Sequence, residues 1–194
     1  MAASMAVLVD HGYAGFNASR VAAKARISRG ALEHYFPRRM DLVQAATRYA
    51  MDAAVNLAKL RAVVSANSPD PVTRFLNDSE GFFFWPVYRP LVEIMIAARI
   101  DRALARAINP IVMEARQALN SLWTDTLGAA GYPRDNAQLF IELTHYLLRG
   151  VFMVSAWLPY PIDRKEIIAA WHRIAPAVLG ADPAAGNGPP GQGA

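Results

Sequence analysis

The chain has 194 residues, 54% of them apolar and 19% charged, and no cysteine. This is apolar enough for a packed core, and it excludes a disordered chain, a disulfide scaffold, a zinc–thiolate site and a thiol nucleophile. The net charge is +4 and falls entirely in the first quarter: residues 1–50 hold seven bases against three acids, whereas the other 144 residues hold 13 of each.

No segment alternates with period 2, and apolar positions recur with helical spacing instead. Residues 3–10 predict a short helix stopped at His11-Gly12, where glycine takes positive φ freely. Asn17 and Ser28 are placed to cap helices over 18–25 and 29–35, because short side-chain oxygens accept the first free amide hydrogens. After Pro37 a long helix is predicted over 39–65, with Leu42, Val43, Ala46, Ala50, Ala53, Leu57, Leu60 and Val64 on one face. Asp70 caps and Pro71 opens a helix over 71–80 that stops near Gly81. The stretch GFFFWPVYRP is an aromatic connector or a broken helix, followed by helices over 90–99 and 102–129, the second kinked at Pro110. Asp135 is expected to cap a long apolar helix to Trp157, stopped by Pro159 and Pro161. Asp163 to Glu166 has capping-box spacing and opens a last helix ending at Gly180. The fold class is all-α, in eight or nine helices. The Gly/Pro/Ala-rich tail 182–194 is expected to be disordered.

Residues 17–36 carry the strongest constellation. Val21, Ala22, Ala25, Ile27, Leu32 and Phe36 have the spacing to seal two short helices at a steep angle. Ile27 is expected to plug the turn. The second helix then presents Arg29, Gly30, Ala31, Glu33, His34 and Tyr35 outward. A helix of that width fits the major groove of double-stranded DNA, its first residues reaching base edges and its flanks reaching phosphates. Arg38 and Arg39, just beyond, stand where a further helix start could grip the backbone. A basic head on a neutral, apolar body agrees with a polyanion partner.

The pattern Gly12-Tyr13 … Asn17 … Val21-Ala22 … Ala25-Arg26-Ile27-Ser28-Arg29-Gly30-Ala31-Leu32 … His34-Tyr35-Phe36-Pro37-Arg38-Arg39 … Leu42 resembles the DNA-binding head of the TetR family of transcriptional regulators. The resemblance covers residues 12–42 and implies a three-helix helix-turn-helix head, residues 1–48, on a helical ligand-binding and dimerisation body, residues 49–181. It implies that Ala18 and Ser19 approach the DNA from the start of the second helix. Arg29, Gly30, Ala31 and Tyr35 face the groove and its phosphates, and Arg39 stands where the family usually has a phosphate-binding lysine. It also implies a homodimer formed by the last two long helices and an effector that releases the operator.

Three departures follow from the same comparison. Arg26 stands where the turn usually has glycine, so a side chain must be carried there, in a left-handed conformation at some cost. Glu33 replaces a residue that is commonly a DNA-touching tyrosine; a carboxylate accepts from a cytosine amino group or repels phosphate. Family members usually carry more of the first helix and a basic arm before it, so the resemblance implies either a start that is misassigned or trimmed or DNA binding weaker than usual.

The body is rich in aromatic residues and methionine. Phe84, Trp85, Tyr88, Met95, Met113, Trp123, His145 and Phe152 are the candidate ligand-binding residues, and a small apolar effector is expected because few ionisable residues fall among them. His145 is the polar candidate. For the dimer face, Leu139, Leu143, Leu147 and Val151 on one helix join Ile167, Trp171 and Ile174 on the last, enough for a four-helix interface between twofold mates. Each of these residues also reads as ordinary core.

No catalytic residues, metal site or cofactor are expected. Glu142-x-x-His145 has the spacing of a di-iron ligand pair but occurs once, the four histidines are scattered, and no nucleophile-elbow or phosphate-loop motif is present. The longest uncharged stretch, 150–162, is 13 residues, short of a membrane span, and the first residues lack a signal-peptide pattern, so a cytoplasmic protein with no membrane partner is expected. The reading is a ligand-responsive DNA-binding transcriptional regulator, most simply a repressor on a palindromic operator. The alternative is a helical small-molecule-binding protein whose head has weak or no DNA affinity.

Overall fold

The computed structural model describes residues 1–66, 68–158 and 163–180. The tail 182–194 and the stop at Pro159 and Pro161 lie outside them. The described residues form nine helices and no strand: α1 (Ala2–Gly15), α2 (Ala18–Ala25), α3 (Arg29–Tyr35), α4 (Arg39–Ala66), α5 (Pro71–Phe83), α6 (Tyr88–Ala98), α7 (Arg102–Ala129), α8 (Arg134–Trp157) and α9 (Arg164–Leu179).

Local chemistry sets most of the boundaries. Asn17 accepts from the amide of Arg20 at 3.0 Å and Ser28 from that of Ala31 at 3.0 Å, so α2 and α3 begin where their caps stand. Asp70 and Asp163 start α5 and α9 in the same way, accepting from Thr73 at 2.9 Å and Glu166 at 3.0 Å. Asp135 does not cap α8. The helix starts one residue earlier, at Arg134, and Asp135 sits in its first turn, where a carboxylate favours the helix dipole. α5 runs through Gly81 to Phe83, and α7 continues as one helix with Pro110 inside it.

The chain packs as two compact units. The first is Met1–Ala58 with Phe84–Leu119, and the second is Lys59–Phe83 with Asn120–Ala194. In the first, α1 packs on α2 and α6, α2 packs on α3, and one core holds Leu8, Phe16, Val21, Leu32, Leu42, Ile94 and Ile108. In the second, α8 packs on α5 and α9, around Phe75, Trp123, Leu127, Phe140 and Ile141. Trp171 stacks on Phe140 with centroids 5.5 Å apart and donates Nε1–H to Thr144 Oγ1 at 2.8 Å. α8 is the one described helix long and apolar enough to cross a membrane by length and composition. Glu142 and Arg149 divide it into shorter uncharged runs, and its residues Phe140, Ile141 and Leu148 are buried in the core.

The first helix breaks at Gly12 as expected, with φ 63° and ψ −177°, and a further helical turn runs on to Gly15. Two packing expectations are corrected. In the second half of α4 the buried side chains are Ala54, Ala58 and Ala62, while Leu57, Leu60 and Val64 are exposed. In the turn, Ile27 is 47% exposed and does not plug it, and Ala25 is exposed; Val21, Ala22 and Leu32 make the seal instead.

Arg26 has φ 56° and ψ 41°, the left-handed conformation that its departure from glycine implies. It is the only non-glycine residue with positive φ among those described. Its amide reaches the carbonyl of Ala23 at 3.2 Å and that of Ile27 reaches Ala22 at 3.1 Å, closing the end of α2. A side chain there costs about 1 kcal/mol against its neighbouring carbonyl. Arg26→Gly is therefore expected to raise the stability of the chain by about 0.5–1 kcal/mol, read by urea unfolding. An unchanged or lowered midpoint would mean that the turn carries no such strain.

Candidate nucleic-acid interface

α3 buries one side chain, Leu32, and half-buries Glu33; Arg29, Gly30, Ala31, His34 and Tyr35 are exposed, Tyr35 to 76%. The six residues expected to face outward are thus gathered on one short helix, anchored through Leu32 and held at its start by Ser28. A Cβ built on Gly30 meets no protein atom within 4 Å. Neither backbone geometry nor internal packing asks for glycine there, which leaves a smooth spot at the start of the exposed face. On α2, Ser19 is exposed and Ala18 is half-buried against the core.

The charges on this face are partly committed. Arg29 Nε donates to Glu33 Oε1 at 2.7 Å, one turn along α3, so Glu33 offsets the cation at the start of the helix. Arg38 donates Nη2–H to Asp41 Oδ1 at 2.7 Å and Nε–H to Asp41 Oδ2 at 3.1 Å, and its own amide also reaches Oδ2 at 3.1 Å. Those donated hydrogen bonds hold the Asp41 carboxyl below the usual carboxylate range, and the carboxylate raises the Arg38 guanidinium in turn.

Arg39 is placed differently from a free phosphate ligand. Its Nε donates to the carbonyl of Phe16 at 2.9 Å, Nη2 to the carbonyl of Tyr13 at 2.7 Å and Nη1 to Tyr13 Oη at 3.2 Å, with the guanidinium 4.5 Å from the Tyr13 ring centroid. Three of its five N–H groups bind the segment that leads into α2, and two are left for an outside acceptor. The sequence singles out Arg39 but not this bracket, since Tyr13 and Phe16 are more than 20 positions away.

The candidate ligand residues fall in both units. In the first, Tyr88 is buried, Phe84 and Met95 are half-buried, and Trp85 and Met113 are exposed. Met113 lies in an open groove of about 640 Å³ along α7 with Arg106, Asn109, Pro110, Glu114 and Gln117. In the second, Trp123 is a core side chain, packed edge-on against Phe75 at 5.3 Å and 2% exposed. His145 lies among aromatic rings, 5.9 Å from Phe75 and 5.6 Å from Phe83, with the Arg149 guanidinium 5.8 Å from the Phe83 ring. Phe152 is half-buried. Phe75, Phe83 and Arg149 are absent from the set chosen from sequence; helical spacing from His145 points to Arg149 but not to the two phenylalanines on α5.

Of the candidate dimer residues, Leu139, Leu143 and Ile174 are exposed apolar side chains, and Leu147 and Ile167 are half-buried. Val151 is buried within its own chain, and Trp171 is turned inward by the stack on Phe140 and the bond to Thr144. Tyr146, 52% exposed, joins the open face. No group of three His, Asp or Glu side chains among the described residues is placed to hold a metal ion.

Residues 1–46 match the family described as "Bacterial regulatory proteins, tetR family". The HTH-type transcriptional regulator CymR of Pseudomonas putida is 29% identical over 157 residues, which cover 81% of this chain and 77% of that protein. A crystal structure assigned to a TetR-family transcriptional regulator of Mesorhizobium loti MAFF303099 superposes with a TM-score of 0.68 at 14% identity, over 93% of this chain and 91% of that one. The multidrug binding protein EbrR, complexed with imidazole, gives 0.62 at 19% identity over 89% and 90%. These two likenesses speak to the fold. The family match over residues 1–46 and the likeness to CymR, together with a capped helix-turn-helix whose second helix is exposed, identify a TetR-type DNA-binding head and support a DNA-binding transcriptional regulator.

Proposed function

We propose that the protein is a cytoplasmic repressor that binds a near-palindromic operator as a homodimer and is released by a small apolar effector. The observation that carries this reading is the open face of α3. Five of its seven residues project from the protein, and the face follows a turn held in shape at an energetic cost by Arg26. Residues 1–48 serve as the DNA-binding domain, with Arg29, Gly30, Ala31 and Tyr35 toward base edges and phosphates. Ser19, Arg38 and the two spare N–H groups of Arg39 stand on the flanks. Residues 49–181 serve effector binding and dimerisation, with His145 and its aromatic neighbours as the effector contacts in the second unit. Leu139, Leu143, Tyr146 and Ile174 face the twofold mate; their exposure within one chain supports that assignment. EbrR, whose crystal structure holds imidazole, supports an effector site in a body of this fold.

Selection from random duplex DNA tests the reading. Enrichment of a palindrome with half-sites about one helical turn apart is the expected result. Enrichment of a single half-site, or of nothing, contradicts it. Gly30 offers a sharper test of the face itself. Gly30→Ala is expected to leave stability equal or up to about 1 kcal/mol higher, because alanine is the better helix former and nothing is in its way. The added methyl is nevertheless expected to weaken the selected duplex about tenfold by holding α3 off the groove floor. Unaltered DNA affinity in this variant would remove Gly30 from the interface.

A further inference from the structure

The break in α1 at Gly12 is met from an unexpected side. Beyond a non-helical residue the next amide has lost its usual acceptor four residues back. Here the acceptor is Glu93 of α6: its Oε2 takes the Tyr13 amide at 2.7 Å, across 80 residues of sequence and within the same compact unit. The carboxylate lies so close to the kink that a Cβ on Gly12 would sit 2.5 Å from Oε2. Its other oxygen is 3.6 Å from Arg89 Nε. The carbonyl of the same Tyr13 is held from the opposite side by Arg39 Nη2 at 2.7 Å. One residue is thus fixed through its amide by α6, and through its carbonyl and ring by the first residue of α4. Three residues later Phe16 is buried, and Asn17 caps α2.

We propose that Glu93 is a positioning residue for DNA reading. By accepting the Tyr13 amide at the Gly12 break, it sets the direction in which the 12–17 segment launches the helix-turn-helix relative to α6. It touches no DNA and acts through Tyr13. The consequence rests on the dimeric operator reading above. Two heads joined in one dimer match half-sites of fixed separation only if each is held at a fixed angle. Loosening the launching segment should therefore blur the preferred spacing as well as weaken binding. A contact that merely contributes stability would lower affinity equally at every spacing.

The test compares Glu93→Ala, Glu93→Gln and Arg89→Ala in the full chain. Three readouts are needed: hydrogen exchange at the Tyr13 amide, thermal midpoint, and affinity for the selected palindrome and for versions with the half-sites moved by one or two base pairs. Glu93→Ala is expected to speed Tyr13 exchange at least tenfold, weaken the best spacing about tenfold and flatten the spacing profile. Glu93→Gln keeps an oxygen acceptor at the same reach, so it should restore both protection and spacing preference to within about threefold of wild type. Arg89→Ala removes an exposed ion pair and should match wild type.

Equal loss at all spacings, a Glu93→Gln variant as defective as Glu93→Ala, or unchanged DNA binding with a freed Tyr13 amide would each overturn the proposal. If the wild-type chain selects no palindrome, the operator reading fails and the positioning role falls with it. Tyr13 exchange would still show whether the contact itself exists.

Discussion

Phe16→Ala is expected to destabilise the chain by roughly 3–5 kcal/mol and to abolish operator binding. Phe16 is 1% exposed and shares its core with Val21, Leu32 and Leu42, the residues that hold α2, α3 and the start of α4 together. Removing the ring takes away its transfer free energy and leaves a cavity that α2, α3 and the start of α4 cannot close without moving. Total stability of ordinary domains is only about 5–15 kcal/mol, so a loss of this size leaves a substantial fraction of heads unfolded. Urea unfolding alongside DNA titration checks it. A midpoint shift corresponding to less than about 1 kcal/mol would show that the head does not depend on this core.

Arg39→Ala carries the second large effect, and it separates two roles that the sequence merges. A phosphate ligand contributes affinity through charge, whereas a bracket contributes through the planar fork that reaches Tyr13 and Phe16 together. The expected loss on Arg39→Ala is about 2 kcal/mol of stability, since hydrogen bonds from a charged donor are worth about 1.5–3 kcal/mol and this side chain is exposed. DNA affinity should fall about tenfold for every duplex, because the segment launching α2 loosens. Arg39→Lys is the decisive companion: it restores the charge but not the fork. The bracket predicts that lysine leaves most of the stability loss in place, as unfolding will show. Full recovery of both stability and binding with lysine would return Arg39 to a simple phosphate contact.

What could be read in advance follows the range of the forces involved. The limits of α2 and α3 were legible because Asn17 and Ser28 bond within three residues of themselves. The left-handed Arg26 was legible because the turn demands that conformation whatever residue occupies it. The resumption of α1 after Gly12 was not, since the acceptor that rescues the Tyr13 amide lies on α6, 80 positions away.

The face of α4 is hidden for a different reason. Hydrophobic patterning favours the larger side chains Leu57, Leu60 and Val64, whereas the helix buries the small side chains of Ala54, Ala58 and Ala62. Those three repeat every four residues in line with Ala46 and Ala50, and small residues let a helix approach its neighbours closely. The inward turn of Trp171 was equally hidden: helical periodicity places it on the same face as Ile167 and Ile174, and only the stack on Phe140 decides which way the ring goes. For the effector, the sequence picks out His145, but its ring partners Phe75 and Phe83 come from another helix.

The central claim is that a pair of α3 helices reads a palindrome, and the most direct measurement is affinity for the selected duplex and for a scrambled duplex of the same length, each followed against salt concentration. Two heads neutralising about three or more phosphates each predict a slope of log K against log salt of about −5 or steeper. The selected duplex should bind at least about a thousandfold more tightly than the scrambled one at physiological salt. Equal affinity for both duplexes with a slope near zero would contradict a DNA-reading role for this face.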